Sequence, residues 1–188
     1  MAEPYTILAV CTGNICRSPA MERLLAQVFA DDADVEVISA GTFAHQGWDM
    51  QDPMKERVAA YGADTGGFVA QQVTETMIRE ADLILTATGE HIADMAAEVP
   101  AAREKMFTLP EFGRLIAETE PDHLPQGPAS EQLAALVAVA GRARTETPSA
   151  QADDDVVDPY MLPDDVYDAS FGQIREPIET LARLLNRG

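Results

Sequence analysis

The sequence predicts an α/β fold, a parallel four-stranded sheet with helices on both faces. Short apolar, partly β-branched stretches near residues 5–10, 35–39, 82–87 and 106–108 alternate with segments whose apolar residues recur at helical spacing. The first stretch runs into a loop whose residues suit an anion, at the carboxyl end of a strand, where open parallel sheets bind ligands. The 188 residues, 46% hydrophobic and 24% charged, suffice for one domain, 1–188, with a real core.

Tyr5-Thr6-Ile7-Leu8-Ala9-Val10 reads as a buried strand. Residues 11 to 18 follow, Cys-Thr-Gly-Asn-Ile-Cys-Arg-Ser, and then Pro19, Ala20, Leu24, Leu25 and Val28 at helical spacing. Pro19 suits the first helical position and Ser18 the cap before it. First-turn N–H groups of that helix point back into the loop and form an anion site. Cys11 is a soft nucleophile at the strand end, and Arg17 carries a planar fork that matches two phosphoryl oxygens. Gly13 allows successive N–H groups to converge on one anion. The same positive field favours the Cys11 thiolate, to which Ser18 could donate a hydrogen bond.

Asp31, Asp32 and Asp34 end the first helix, and a second strand leads into the turn Ser39-Ala40-Gly41-Thr42. Residues 43–52 are polar and turn-rich around Phe43, His45 and Trp48. Pro53 opens a helix with Met54, Val58 and Tyr61, stopped by Gly62. Residues 66–73 are a loop, Thr74 caps a short helix, and a third strand begins at 82. A helix over 90–98 contains His91, to which no role is assigned. A short strand at 106–108 precedes a helix over 110–118. Pro121, Pro125, Gly127 and Pro128 mark a linker-like loop. Ser130 then caps an apolar helix reaching residue 144, with Leu133, Leu136, Val137 and Ala140. Residues 145–155 are polar, acidic and without periodicity, and are expected to be flexible. The stretch 112–152 as a whole reads as an insertion, flexible or partly helical. A last helix over 169–186 carries the stripe Phe171, Ile174, Ile178, Leu181 and Leu185.

The segment 11–18, set between a strand and a helix, resembles the phosphate-binding loop of the low-molecular-weight protein tyrosine phosphatases. Ser39-Ala40-Gly41-Thr42, Ala81-Asp82-Leu83-Ile84-Leu85 and Asp158-Pro159-Tyr160 extend the resemblance in the same order. It implies this family's fold, with the phosphate-binding loop after the first strand. It implies Cys11 as nucleophile, Arg17 as phosphate clamp and Asp158 as general acid. Thr12, Gly13, Asn14, Ile15, Cys16 and Ser18 would line or hold the phosphate, and Trp48 or Phe43, with Tyr160, would wall the cleft. Ser39 would hydrogen-bond Asn14 and hold the loop in shape; an ordinary turn serine is the other reading. Cys16 either protects the nucleophile through a reversible disulfide, as a neighbouring cysteine can in this family, or packs as a small apolar residue. The chain departs from the family pattern at Phe68 and Gln71, where some members have histidine and arginine, at Thr88, where some have aspartate, and at Met161. The network around Asn14 must then be smaller or differently satisfied.

Thirteen basic against 32 acidic residues give a formal charge of −19, which argues against nucleic acid or anionic membrane as partner. No apolar run is long enough to span a bilayer, no signal peptide is visible, and a cytoplasmic location is expected. Two cysteines do not make a disulfide framework. The reaction expected is hydrolysis of a phosphate monoester, most plausibly protein phosphotyrosine or a small aryl phosphate, through a cysteinyl-phosphate. No metal or other cofactor is called for. One rival is arsenate reduction with an external small thiol, since no third cysteine exists for an internal relay. Another is a non-catalytic module that binds phosphorylated ligands. The oligomeric state is not legible.

Overall fold

The computed structural model describes residues 3–146 and 154–186. Four parallel strands, β1 (Tyr5–Cys11), β2 (Val35–Gly41), β3 (Leu83–Thr86) and β4 (Met106–Thr108), form one sheet in the order β2-β1-β3-β4. β1 runs beside β2 from Tyr5 opposite Val35 to Cys11 opposite Gly41, and beside β3 from Ile7 opposite Leu83 to Val10 opposite Thr86. The chain leaves β1 toward one side of the sheet and comes back to its other side. The strand order therefore reverses at the carboxyl end of β1, where such sheets open a crevice.

Strand periodicity splits the core in two. Ile7, Ala9, Cys11, Leu83, Leu85 and Phe107 face the larger cluster, beneath α1 (Arg17–Val28), α5 (Leu109–Ile116) and α7 (Asp164–Leu184). Leu8, Val10, Ile84 and Met106 face the smaller one with Ile78, Ile92 and Met95. Those three come from α3 (Glu75–Glu80) and α4 (Gly89–Glu98). Both faces are covered, as the near-continuous apolar strands require. α2 (Asp52–Tyr61) completes the larger cluster with Met54 and Val58, and ends on Gly62 at φ 103, a left-handed cap that glycine adopts freely.

Several boundaries differ from the sequence reading. The helix expected to be capped by Ser130 begins at Ala129, which puts Ser130 inside it. α1 starts at Arg17, with Cys16 in the cap position and no side-chain cap, so Ser18 is inside the helix. Its hydroxyl is drawn to Cys11 and Asn14 instead. α5 ends at Ile116, two residues before the expected limit. α7 begins at Asp164, five residues early; Asp164 and Asp165 in its first turn favour the positive end of the helix dipole. Within it lies Pro177. A Cβ on Gly113 would stand 2.6 Å from the Pro177 Cβ and 2.9 Å from its Cα, so glycine is what lets α5 and α7 close on each other there.

The stretch read as an insertion carries α6 (Ala129–Glu146), whose Leu133, Leu136 and Ala140 are fully buried in the larger cluster. Arg144 on its last turn stacks 3.8 Å from the Phe107 ring centroid and pairs with Glu111 at 3.0 Å. Beyond residues 147–153, which lie outside the described residues along with most of the segment read as flexible, Asp154 pairs with Arg114 at 2.8 Å. No helix is long and apolar enough to cross a membrane among the described residues.

Candidate active site

β1 delivers Cys11 to the edge of the crevice, and the chain turns through residues 12–16 before α1 begins at Arg17. The loop's shape is imposed by the segment after β2. Thr42, Phe43 and His45 donate backbone N–H groups to the carbonyls of Cys11, Thr12 and Gly13, each at 2.9 Å, and Gln51 donates to Ile15 at 2.8 Å. In a planar trans peptide the N–H points opposite to the carbonyl. Holding these four carbonyls outward turns the N–H groups of Thr12, Gly13, Asn14 and Cys16 toward the concave side. With the first turn of α1 they make an anion cradle. Gly41 admits this close approach: a Cβ there would lie 2.4 Å from the Thr12 carbonyl oxygen.

Behind the cradle, Asn14 sits at φ 53 and is fully buried. Its Nδ2 donates to Ser18 Oγ and to Ser39 Oγ, both at 2.9 Å, and its Oδ1 accepts from the Gln71 backbone at 2.9 Å. Ser39 in turn donates to Glu22 Oε2 at 2.5 Å. The expected Ser39–Asn14 bond is therefore present. Phe68 brings only its ring, with the Arg23 guanidinium 5.7 Å from its centroid. The network is differently satisfied rather than smaller: Glu22 and Gln71 complete it. Burial pushes the Glu22 carboxyl above the usual range, against the Ser39 hydroxyl and Arg23, which pull it down.

On the cleft side, Cys11 Sγ lies 3.0 Å from Ser18 Oγ. Arg17 is 4% exposed; its Nη2 donates to Asp158 Oδ2 at 2.8 Å and its Nη1 to the Val156 carbonyl at 3.2 Å. Its buried Nε has no partner among the described residues. Asp158, 141 positions away in sequence, thus stands over the loop. The cleft holds about 100 Å³. That is a few water volumes of about 30 Å³ each, the scale of a phosphoryl group. It is lined by Cys11, Thr12, Gly13, Ile15, Cys16 and Arg17 from the loop, and by Phe43, His45, Asp158 and Tyr160 from its walls.

Not all the expected substrate contacts reach it. Asn14 and Ser18 support the loop from behind. Trp48 does not line the cleft; it packs on His45, with centroids 4.9 Å apart, and His45 in turn faces Tyr160 at 5.7 Å. Of the two aromatic candidates Phe43 lines the cleft, beside His45 and Tyr160, and Trp48 backs His45 from outside it. Cys16 packs near the Tyr167 hydroxyl, and burial pushes its thiol up to about 12. Both cysteines are free, and the packing reading of Cys16 fits this state.

His91 was given no role from sequence. Its Nε2 lies 2.9 Å from Thr12 Oγ1, while its Nδ1 accepts the Thr88 backbone N–H at 3.2 Å in the capping box of α4. An accepting Nδ1 leaves the proton on Nε2, so His91 donates to Thr12 and ties the loop to α4. Burial, then the charge of Arg17, lower it to about 4, which keeps it neutral. Where some members have aspartate, Thr88 caps α4, and Asp155 accepts the Gly89 N–H at 2.8 Å from elsewhere in the chain. Glu22 was also given no role; its spacing of four from Ser18 places both on one face of α1, which is the signal the sequence offered.

Residues 6–125 match the family model of the low molecular weight phosphotyrosine protein phosphatases. Curated relatives include the probable low molecular weight protein-tyrosine-phosphatase EpsP of Ralstonia solanacearum, 40% identical over 107 residues, 57% of this chain and 72% of that protein. Wzb of Escherichia coli K12, a low molecular weight protein-tyrosine-phosphatase, is 37% identical over 132 residues, 69% of this chain and 84% of that one. Among solved structures, the tyrosine phosphatase AmsI of Erwinia amylovora has a TM-score of 0.70 at 26% identity, over 99% of this chain and 96% of that one. The YwlE arginine phosphatase of Geobacillus stearothermophilus gives 0.68 at 27%, over 97% and 94%. The family match takes in the loop and stops before Asp158. The chain belongs to the low molecular weight phosphotyrosine protein phosphatases, hydrolases that act through a cysteine nucleophile.

Proposed function

We propose that the chain hydrolyses phosphotyrosine in proteins, with Cys11 as nucleophile, Arg17 as phosphoryl clamp and Asp158 as general acid. The observation that carries this reading is Asp158 held at 2.8 Å from Arg17 across the mouth of the loop that contains Cys11. The Cys11 thiolate attacks phosphorus in line, and the phosphorus–oxygen bond to tyrosine breaks. Arg17 and the loop N–H groups hold the three equatorial oxygens. The entering phosphoryl group takes the place of the Asp158 carboxylate on Arg17. Asp158, which takes up a proton from solvent as it leaves Arg17, is then free to give that proton to the phenolate leaving group. Asp158 next removes a proton from water, which attacks the cysteinyl-phosphate and releases inorganic phosphate and the thiolate.

A protein substrate is supported by the rim. Phe43 and Trp48 on one wall, and Val157, Met161 and Leu162 beside Asp158 and Tyr160, are all large, apolar and exposed. Clustered exposed apolar residues mark interaction surfaces more often than scattered ones do. His45 and Tyr160, in contact with each other at a ring-centroid distance of 5.7 Å, put two aromatic rings in the cleft wall where a phenyl group would enter. The likeness to an arginine phosphatase makes N-phosphoarginine the comparison substrate. Ile15 and the ring wall favour the aryl ester. Two thiols kept free suit a reducing compartment such as the cytoplasm.

The test is turnover of p-nitrophenyl phosphate, a phosphotyrosine peptide and a phosphoarginine peptide, beside arsenate reduction with a small thiol. Wild type should hydrolyse the first two, and Cys11→Ser should lose all turnover. Hydrolysis surviving in Cys11→Ser, or arsenate reduction in place of hydrolysis, would overturn the reading. Preference for the phosphoarginine peptide would replace the substrate and keep the chemistry.

A further inference from the structure

We infer that Glu22 is a positioning residue for the nucleophile, acting as the last acceptor of a hydrogen-bond chain that ends on Cys11. The inference rests on the reading of Cys11 as nucleophile. Its basis is a count of protons. The Asn14 amide cannot be flipped, because its Oδ1 accepts the Gln71 N–H at 2.9 Å. Its Nδ2 therefore has two hydrogens to place, and they go to Ser18 and Ser39, both at 2.9 Å. A serine hydroxyl has one hydrogen. Ser39 can offer its oxygen to Asn14 because its own hydrogen goes to Glu22 at 2.5 Å. Ser18, accepting from Asn14, has its hydrogen left for Cys11 Sγ at 3.0 Å, with the Ala40 carbonyl at 3.3 Å as the weaker choice.

While Glu22 accepts, the two Asn14 bonds and the Ser39 bond each have one direction, and toward a Cys11 thiolate, which can only accept, the Ser18 hydrogen has sulfur as the nearer of its two acceptors. Without that acceptor the Ser39 hydrogen has no partner on this side, and the hydroxyl turns. Asn14, at φ 53, then loses one of the bonds that hold it, and with it the aim of Ser18. The function of the Ser18 proton follows from the reaction. Cys11 is the leaving group when water attacks the cysteinyl-phosphate, and a hydrogen bond to the departing thiolate speeds that step. Glu22 is 17 residues from Ser39 and does not line the cleft, so its effect on substrate can only be indirect.

The experiment is stopped-flow and steady-state hydrolysis of p-nitrophenyl phosphate by wild type, Glu22→Leu, Glu22→Gln, Ser39→Ala and the Glu22→Leu/Ser39→Ala double variant, with folding checked by thermal unfolding. Glu22→Leu should slow breakdown of the intermediate. It should lower kcat by about ten-fold, lower KM with it, leave kcat/KM within about three-fold, and bring out a burst of nitrophenol. Glu22→Gln, whose amide oxygen still accepts, should stay within about two-fold of wild type. Ser39→Ala should repeat the Leu signature, and the double variant should be no worse than either single one. If Glu22→Leu does not fold, the Ser39→Ala burst and the Gln rescue still decide. Wild-type kinetics in Ser39→Ala, additive losses, or an equal loss in Glu22→Gln and Glu22→Leu would each overturn the inference. Hydrolysis by Cys11→Ser would instead overturn the underlying reading.

Discussion

The two sides of the cleft are built in opposite ways. Behind the loop, Asn14, Ser18 and Ser39 are at most 1% exposed, and Glu22 and Gln71 complete their bonds. Facing it, residues 157–162 present Val157, Met161 and Leu162 to solvent, and Asp158 is fastened chiefly by one ion pair to Arg17. The difference separates two tasks. Charge stabilisation in a transition state needs donors already in place, because reorganising them during reaction costs what they would contribute. An acid that must first leave the arginine for the substrate oxygen needs a tether that the substrate itself can displace. Burying the loop's polar groups fully paired makes the first possible, and leaving Asp158 half-exposed, with Arg17 and the Tyr160 N–H of its own turn as its two contacts, makes the second possible.

Asp158→Asn tests this contrast with the largest expected effect. Turnover of a phosphotyrosine peptide, with its poor leaving group, should fall by about 10²- to 10⁴-fold, and that of p-nitrophenyl phosphate by much less. The same substitution removes the anion that competes for Arg17. Inorganic phosphate should therefore inhibit the variant more strongly than it inhibits wild type. Weaker phosphate inhibition would show that Asp158 helps to hold the oxyanion and does not compete with it.

His91 is the tie between the loop and α4, and its loss is read in stability. Its ordinary value near 6.5 is lowered to about 4 by burial and by Arg17. Between those values the unfolded chain binds the extra proton and the folded one does not. Stability from this group is thus whole above about 6.5 and is lost as pH falls toward 4. The full difference is roughly 3 kcal/mol, and about 2 kcal/mol of it is gone at pH 5. Glu22 works the other way, since its carboxyl is raised by burial and gains stability on protonation. Urea unfolding of wild type and His91→Gln at pH 7 and pH 5 should show a steeper loss for wild type. Equal slopes would mean that His91 is protonated in the fold without breaking its bonds.

The β1–loop–α1 unit was legible because each of its signals is local: an apolar strand, a loop of chemically particular residues, then a helical stripe. The start of α1 was misplaced for a reason that no local rule contains. Ser18 is a good cap by type, but Cys11 and Asn14 claim its oxygen from outside the helix. Asp158 stood out through Pro159 and Tyr160, yet its contact with Arg17 spans 141 positions. His91 was invisible for the same reason, since Thr12 is 79 residues away and helical spacing says nothing about what a helix start meets. The stretch 119–144 reads as loop and helix, which it is, but its burial against Phe107 and Glu111 depends on where the sheet ends. Trp48 shows the limit of reasoning by residue type. It is the most aromatic candidate for the wall, and it serves by backing a histidine.

The smallest effect probes the exposed side. Met161 stands at φ 59 with its side chain 83% exposed, so a non-glycine residue holds a left-handed conformation with little packing in return. For an ordinary residue that conformation costs roughly 1–2 kcal/mol. Glycine adopts it freely but loses more chain entropy on folding, roughly 0.5–1 kcal/mol. Met161→Gly should therefore stabilise the protein slightly, by about 0.5 kcal/mol in urea unfolding. If the apolar rim serves only as covering, nothing else should change. If it receives the chain around a phosphotyrosine, the strained methionine is kept for contact. Met161→Gly should then raise KM for a phosphotyrosine peptide by about three- to ten-fold, in line with one lost apolar contact, and leave p-nitrophenyl phosphate untouched. Equal KM values on the peptide would remove the rim from recognition while leaving the cradle, and the chemistry it supports, as they stand.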